Sequence, residues 1–363
     1  MSDKMDFDFD EYIRQSEPGK QQKGYIWQTA IGLQDVDGLK PSEYLIETAK
    51  KNIDGDITIE EANELIHSYY ESKTARLDAE SRTEEADKVS ARIAQILSED
   101  AFVFSPEQLI AIHRRLFDGI YKFAGKIRDY NISKKEWVLK GKSVVYAGSD
   151  MIRDTLNYDF DAEKRFNYRG LSIDNSIHHI TEFISNLWQI HPFGEGNTRT
   201  TAVFSIKYLR SLGFEVSNTL FAENSWYFRN ALVRSNYADI QKGIVEDKHY
   251  LELFFRNLLL GENNELKNRY LIIDAPEPNE QVPNNLTEQV RFLVVSMGLN
   301  SYPVKELMEM VGISHRPTFF YNYLKPAVDS GLIISIHDKP NHPKQQYRLT
   351  EKGITIKQLL NKQ

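Results

Sequence analysis

The chain has 363 residues, 41% of them hydrophobic and 12% aromatic, with a formal charge of −7. That length allows two or three domains with proper cores. The acidic balance excludes a wholesale nucleic-acid coat but leaves room for a local basic face. No cysteine is present, which excludes disulfides, thiolate chemistry and cysteine-bound zinc and suits a cytoplasmic protein.

The N-terminal stretch MSDKMDFDFDEYIRQ is acidic and has no continuous apolar run. It reads as neither signal peptide nor membrane anchor. The chain has no apolar stretch of the roughly 18 residues a membrane helix needs, so no membrane partner is expected. Residues 1–22 read as a flexible tail. Residues 23–75 read as a helical unit, with Tyr44, Leu45, Thr48 and Ala49 inward on one helix and Ala62, Leu65 and Ile66 on the next. A charge-rich stretch follows, in which Val89, Ile93 and Ile96 recur at helical spacing.

Residues 76–262 read as a mainly helical domain. Ser105 is placed to cap a helix with Pro106 at its first position. The β-prone runs Glu136–Leu139 and Ser143–Tyr146, around KGK, predict a hairpin. Residues 263–284 contain APEPNEQVPNN and read as a linker. Residues 285–363 would form a separate domain. Its grammar is helix, PVKELMEMVG, ISHRPTFFYNYLKPAVDSGLI, then two short strands around DKPNHPK. That order suggests a winged helix-turn-helix. Over residues 281–363 there are ten Lys and Arg against six Asp and Glu, with Lys339, Lys344 and Arg348 near the wing and Arg316 near the recognition helix. DNA is one candidate partner and a protein surface the other.

The densest chemistry lies in HPFGEGNTRTTA, residues 191–202. Ile177, Ile180, Ile184 and Leu187 form a stripe on which His191 is the next position. Pro192 should end that helix, because it disfavours helical geometry in the residue before it. Asn197 is a candidate cap for a second helix, whose stripe begins at Ala202, Ile206 and Leu209. The loop between carries Gly194 and Gly196, so its backbone can approach a ligand closely. A helix N-terminus offers free N–H groups to an anion, and Arg199 adds a guanidinium suited to phosphate. Glu195, the one carboxylate there, makes sense beside phosphate as a Mg²⁺ ligand. His191 supplies a base. Together these residues describe phosphoryl or nucleotidyl transfer to a hydroxyl. The plainer alternative is a His that caps a helix and an Arg199–Glu195 surface ion pair. His178 and His179 are adjacent, point about 100° apart on a helix, and read as structural.

HPFGEGNTR resembles the signature of the Fic family, H-x-F-x-[DE]-G-N-[GK]-R-x-x-R, matched at His191, Phe193, Glu195, Gly196, Asn197 and Arg199. GKIRDYNISKKEWVLKGKSVVYA resembles the region leading into that family's flap. The resemblance implies an all-helical core with a β-hairpin flap, and transfer of AMP from ATP to a protein Ser, Thr or Tyr hydroxyl. It implies His191 as base and Glu195 as Mg²⁺ ligand. Gly194, Gly196, Asn197, Thr198 and Arg199 would bind phosphates, and Phe193 would anchor the loop. Tyr227 and Asn236 would contact adenosine, although Tyr227 and Phe228 suit a core equally well. Trp137, Val138 and Leu139 would pin an extended target by strand pairing. A second copy of the chain is a further candidate partner.

Two positions depart from the signature. Thr198 stands for Gly or Lys and should be tolerated. Ala202 stands for the final Arg, which in relatives serves the γ-phosphate or an inhibitory glutamate, so nucleotide choice is open to UMP or GMP. The N-terminal unit resembles VbhA-type antitoxins, with Asp37 and Gly38 at the regulatory Glu-Gly positions. With Ala202 as its expected partner, Asp37 would be a poor inhibitor. A reading from a different class is a DNA-binding regulator with a nucleotide-sensing, inactive core.

Overall fold

Short polar side chains set where the helices begin. Ser42, Thr58, Ser105 and Ser172 each accept a hydrogen bond from the backbone N–H three residues on. Each thereby satisfies a donor that the first turn leaves free. Thr58 and Glu61 do so reciprocally, as a capping box. The computed structural model describes residues 9, 12–13, 17–72, 78–216, 219–273, 286–298, 300–337 and 345–360. Two units are resolved, residues 1–273 and 274–363.

In the first unit, α1 (Pro18–Gly32) runs into a 3₁₀ turn (Leu33–Asp37) closed by Gly38, whose φ is +64°. Then come α2 (Glu43–Asp54), α3 (Ile59–Glu71), α4 (Asp78–Ser98) and α5 (Pro106–Phe117). After a long irregular segment follow α6 (Ile152–Arg165), α7 (Ile173–Ile190), α8 (Asn197–Ser211), α9 (Leu220–Glu223), α10 (Ser225–Ser235) and α11 (His249–Leu260). α8 is buried from Asn197 to Leu209 and passes through the centre.

The N-terminal unit is not a detachable cap. Trp27, Leu33, Leu45 and Ile66 share one core with Val89, Ile93, Phe204 and Phe228. Buried Asp87 of α4 accepts hydrogen bonds from Ser42 at the start of α2 and from Tyr70 of α3. At Gly32, a Cβ would overlap the backbone of Ala222, so α1 can meet α9 closely only through glycine.

Several expectations need correction. Leu65 is exposed, and Tyr70 takes the inward place on α3. Phe9 and Ile13, assigned to the tail, are buried, and α1 begins at Pro18. Residues 263–273, assigned to the linker, belong to the first unit: Leu271 and Ile273 are buried, and the Ile273 N–H donates to Val138 O at 2.9 Å. The remainder of that linker, residues 274–284, lies outside the described residues.

The second unit runs α12 (Glu288–Ser296), β1 (Tyr302–Pro303), α13 (Val304–Met310), α14 (Arg316–Phe319), α15 (Lys325–Asp329), β2 (Ile333–Ser335), β3 (Gln346–Leu349) and α16 (Glu351–Leu360). The strands lie in the order β1-β3-β2, antiparallel, with Tyr302 opposite Tyr347 and Ile333 opposite Leu349. A π turn (Phe320–Leu324) joins α14 to α15, the Lys325 N–H reaching Phe320 O. Pro326, which lacks an N–H, follows at once and explains the shifted ladder. Val290, Leu293, Leu307, Phe319, Leu324, Ile333 and Tyr347 make this unit's own core. Lys339 and Lys344 of the expected wing lie outside the described residues.

Candidate active site

α7 stops at Ile190, as Pro192 requires, and His191 takes a left-handed backbone with φ +50°. That conformation is costly for a residue with a Cβ, and such strain clusters at functional sites. The imidazole is 2% exposed. Its Nδ1 lies 3.3 Å from Trp188 O, so Nδ1 carries the hydrogen, and Nε2 is buried with no partner among the described residues. Burial, then Lys134, pushes its pKa well below the usual histidine value, against the Trp188 carbonyl, with Arg128 and Arg229 adding to the fall. The group is a neutral imidazole with a free lone pair.

The loop after it is built for rigidity. The Asn197 side chain accepts from Phe193 N at 3.0 Å and donates to Phe193 O at 2.8 Å. Asn197 is therefore not the helix cap: Gly196 holds that place, with φ +77°. A Cβ on Gly196 would overlap Phe117, and one on Gly194 would come within 2.7 Å of Tyr130 Oη. Packing and a positive φ demand glycine at 196, whereas at 194 the exposed Tyr130 side chain could move aside. Phe193 is buried and stacks on His113 with ring centroids 3.7 Å apart. His113 accepts from Gly125 N and donates to Glu195 O. Its pKa is pushed down to about 4, chiefly by burial. Thr198 accepts from Trp188 Nε1 at 3.1 Å. Neither Gly nor Lys could accept that bond, so this departure from the signature has a structural use.

Glu195 is 52% exposed, and its carboxylate meets Lys134 Nζ at 2.8 Å. It does not pair with Arg199. Among the described residues no group of three or more His, Asp or Glu could hold a metal. A single carboxylate is compatible with Mg²⁺ bound mostly by phosphates and water, and in the structure Glu195 is occupied by Lys134.

Arg199 is 1% exposed. Its Nε lies 2.8 Å from Asp37 Oδ2, off the N–H direction, so the contact is ionic. Nη1 donates to Gln34 at 3.0 Å, Nη2 to Glu85 at 2.6 Å and to Tyr121 at 3.3 Å. Phe117 lies beneath the guanidinium. Burial opposes the charge, but Asp37, Tyr121 and Glu85 outweigh it and raise the pKa. The expected partner of Asp37 was position 202, yet Ala202 is fully buried and Asp37 meets Arg199. Arg82 of α4 holds the Asp37–Gly38 turn through both carbonyls.

The flap is not a paired hairpin in this structure. Trp137–Leu139 is a 3₁₀ turn closed by Glu136 N donating to Lys142 O. Trp137 is exposed, whereas Val138 and Leu139 are fully buried and present no edge to a target. Tyr227 is a core residue whose hydroxyl donates to Tyr250 O. Asn236 is buried and ties α10 to α7 through Ser185. His178 and His179 pair with Glu252 and Glu163, the structural roles expected of them.

Sequence reasoning passed over several neighbours. Arg128 donates to His191 O, Tyr130 O and Ala147 O, binding the flap to the end of α7 with a buried guanidinium. Lys134, Tyr146, Glu85 and His113 are the others. Their positions 45 to 114 residues from the motif leave no local signal.

Comparison with known proteins bears on the segment that carries this loop. Residues 103–209 match the Fic/DOC family, and residues 288–350 match the C-terminal domain of Fic-like (filamentation induced by cAMP) proteins. The chain thus carries a Fic/DOC domain followed by a Fic-like C-terminal domain. Among curated proteins it is similar to a protein adenylyltransferase of Bartonella henselae, 25% identical over 142 residues, covering 37% of this chain and 26% of that one. It is also similar to a probable protein adenylyltransferase of Sinorhizobium fredii, 27% identical over 131 residues, covering 36% and 64%. The matches thus span less than two thirds of either relative. A solved Fic family protein from Desulfovibrio desulfuricans G20 aligns over 92% of this chain and 89% of its own, at 19% identity and a TM-score of 0.43. No helix among the described residues is long and apolar enough to cross a membrane.

Proposed function

We propose that this chain is a protein adenylyltransferase that moves AMP from ATP to a Ser, Thr or Tyr hydroxyl of a target protein or of itself, releasing pyrophosphate. The observation that carries the reading is His191: a neutral, buried imidazole with Nε2 unpartnered at the start of a glycine loop that ends in a helix N-terminus. Nε2 takes the hydroxyl proton, while Nδ1–H stays directed at Trp188 O. The free N–H groups at the start of α8 and the backbone at Gly194, Gly196 and Thr198 bind phosphate oxygens. Glu195 would hold Mg²⁺, which offsets phosphate charge. Arg199 would clamp the departing phosphates once freed from Asp37 and Glu85. On this reading the contacts of Arg199 with Asp37 and Glu85 would hold the chain in a resting state.

We read the second unit as a winged helix from its order of helix, strand, helix, turn, helix and two paired strands, with Arg316 and Arg348 exposed. We read DNA as a candidate ligand for it. A second reading of the whole chain, a DNA-binding regulator with a silent core, draws on the burial of Arg199. Incubation with ATP labelled on the α-phosphate separates the two. Labelling of the chain or of a target that vanishes in His191→Ala supports the transferase. No labelling of any protein, together with salt-dependent DNA binding, favours the regulator.

A further inference from the structure

The flap contributes something that no part of the signature motif contains. Glu136 is a buried carboxylate, 1% exposed, at the base of the flap turn. Its Oε2 lies 2.8 Å from Arg229 Nη1 of α10, and its Oε1 accepts from the Tyr146 hydroxyl at 3.3 Å. Arg229 in turn lies over the Trp226 ring. A buried carboxylate held this way is expensive to maintain unless its partners are fixed. Tyr146 is itself buried, and its ring packs on the His191 imidazole with centroids 4.2 Å apart and planes at 36°. Trp188 meets the same imidazole edge-on, at 90°. The chain of contacts runs from α10 through the flap to the free base.

We propose that Tyr146 is the positioning residue of His191, and that the Glu136–Arg229 pair anchors it. The reasoning is geometric. Among the described residues the only polar tie on the imidazole is the long 3.3 Å contact from Nδ1 to Trp188 O. A single long contact does not fix rotation of a ring about its Cβ–Cγ bond. The Tyr146 ring and the Trp188 edge close off the remaining orientations, so that Nε2 keeps one direction. Trp188 is secured by Thr198. Tyr146 is secured by its hydroxyl on Glu136, which Arg229 holds from another helix. Tyr146 acts through His191, and the inference rests on His191 being the base.

The test compares Tyr146→Phe, Tyr146→Ala and His191→Ala in the full chain. Phe keeps the ring and loses only the 3.3 Å bond. Without the tie to Glu136 the ring is held less firmly, and kcat should fall by about 3- to 10-fold, less than for Ala. Ala should lower kcat by about 10- to 100-fold, the usual cost of a misplaced catalytic group, with KM for ATP unchanged. Nitrogen NMR of the His191 ring gives a readout free of turnover. Wild type and Phe should show one tautomer with hydrogen on Nδ1, and Ala a mixture of tautomers. Equal thermal midpoints for the Phe and Ala variants would separate positioning from loss of fold. An Ala variant with wild-type kcat and a single tautomer would overturn the proposal while leaving the base assignment intact. Persistent labelling in His191→Ala would overturn the base assignment itself.

Discussion

Asp37→Ala tests whether the N-terminal unit restrains the site. Removing one partner of a fully buried ion pair costs about 3–5 kcal/mol. Two features reduce that here. Asp37 is 33% exposed, so water screens part of its charge. Glu85 also remains 2.6 Å from the same guanidinium. A loss of about 1–2 kcal/mol of restraint is the reasonable remainder, which shifts the balance between engaged and released Arg199 by roughly 5- to 30-fold. Deleting residues 1–75 would be a poorer test, because it strips Trp27, Leu33 and Leu45 from the shared core. The assay is initial rate of self-labelling from ATP labelled on the α-phosphate, at fixed protein concentration. Asp37→Ala should label about 10-fold faster than wild type, and Asp37→Ala with Glu85→Gln faster again. Unchanged rates in both variants, with both folded, would refute the reasoning and make Arg199 a structural anchor.

Three further outcomes are expected. His191 and His113 both have depressed pKa values in the folded chain, so between pH 6.5 and 5 their unfolded imidazoles take up protons that the folded ones refuse. Stability should be flat above pH 7 and fall by about 1.4 kcal/mol per pH unit for each group below 6.5. Urea unfolding of wild type and His113→Phe would show whether the slope halves, and a pH-independent stability would contradict the burial argument. Thr198→Val should cost about 1–2 kcal/mol by leaving Trp188 Nε1 without its acceptor, seen as a lower melting midpoint with an altered tryptophan emission spectrum. Gly196→Ala combines a φ of +77° with an overlap on Phe117. It should destabilise by on the order of 2–4 kcal/mol, and a crystal structure with the loop unmoved would contradict this.

What could be seen in the sequence was what is local. Cap residues, the stripe from Ile177 to Leu187, the break at Pro192 and the signature loop all depend on neighbours within about one helical turn. The flap misled because Trp137–Leu139 has β-prone composition, yet Val138 and Leu139 are drawn into the core and the segment curls into a 3₁₀ turn. Tyr227 and Asn236 were placed by analogy, and core packing claimed both. Asp37 was paired in the sequence with position 202, and the structure sets it against Arg199 instead. The pairing with Arg199 depends on how the 3₁₀ turn after α1 lies across α8, a contact between residues 162 positions apart. Thr198 looked merely tolerable because its partner, Trp188, lies ten residues back on another helix.

The central claim is that His191 transfers AMP from ATP. The most direct measurement places the label separately on the α- and γ-phosphates and compares the Asp37→Ala chain with its His191→Ala derivative. The account expects α-label on protein in the first, none in the second, and no γ-label in either. Protein-bound γ-label, or α-label that survives loss of His191, would contradict it.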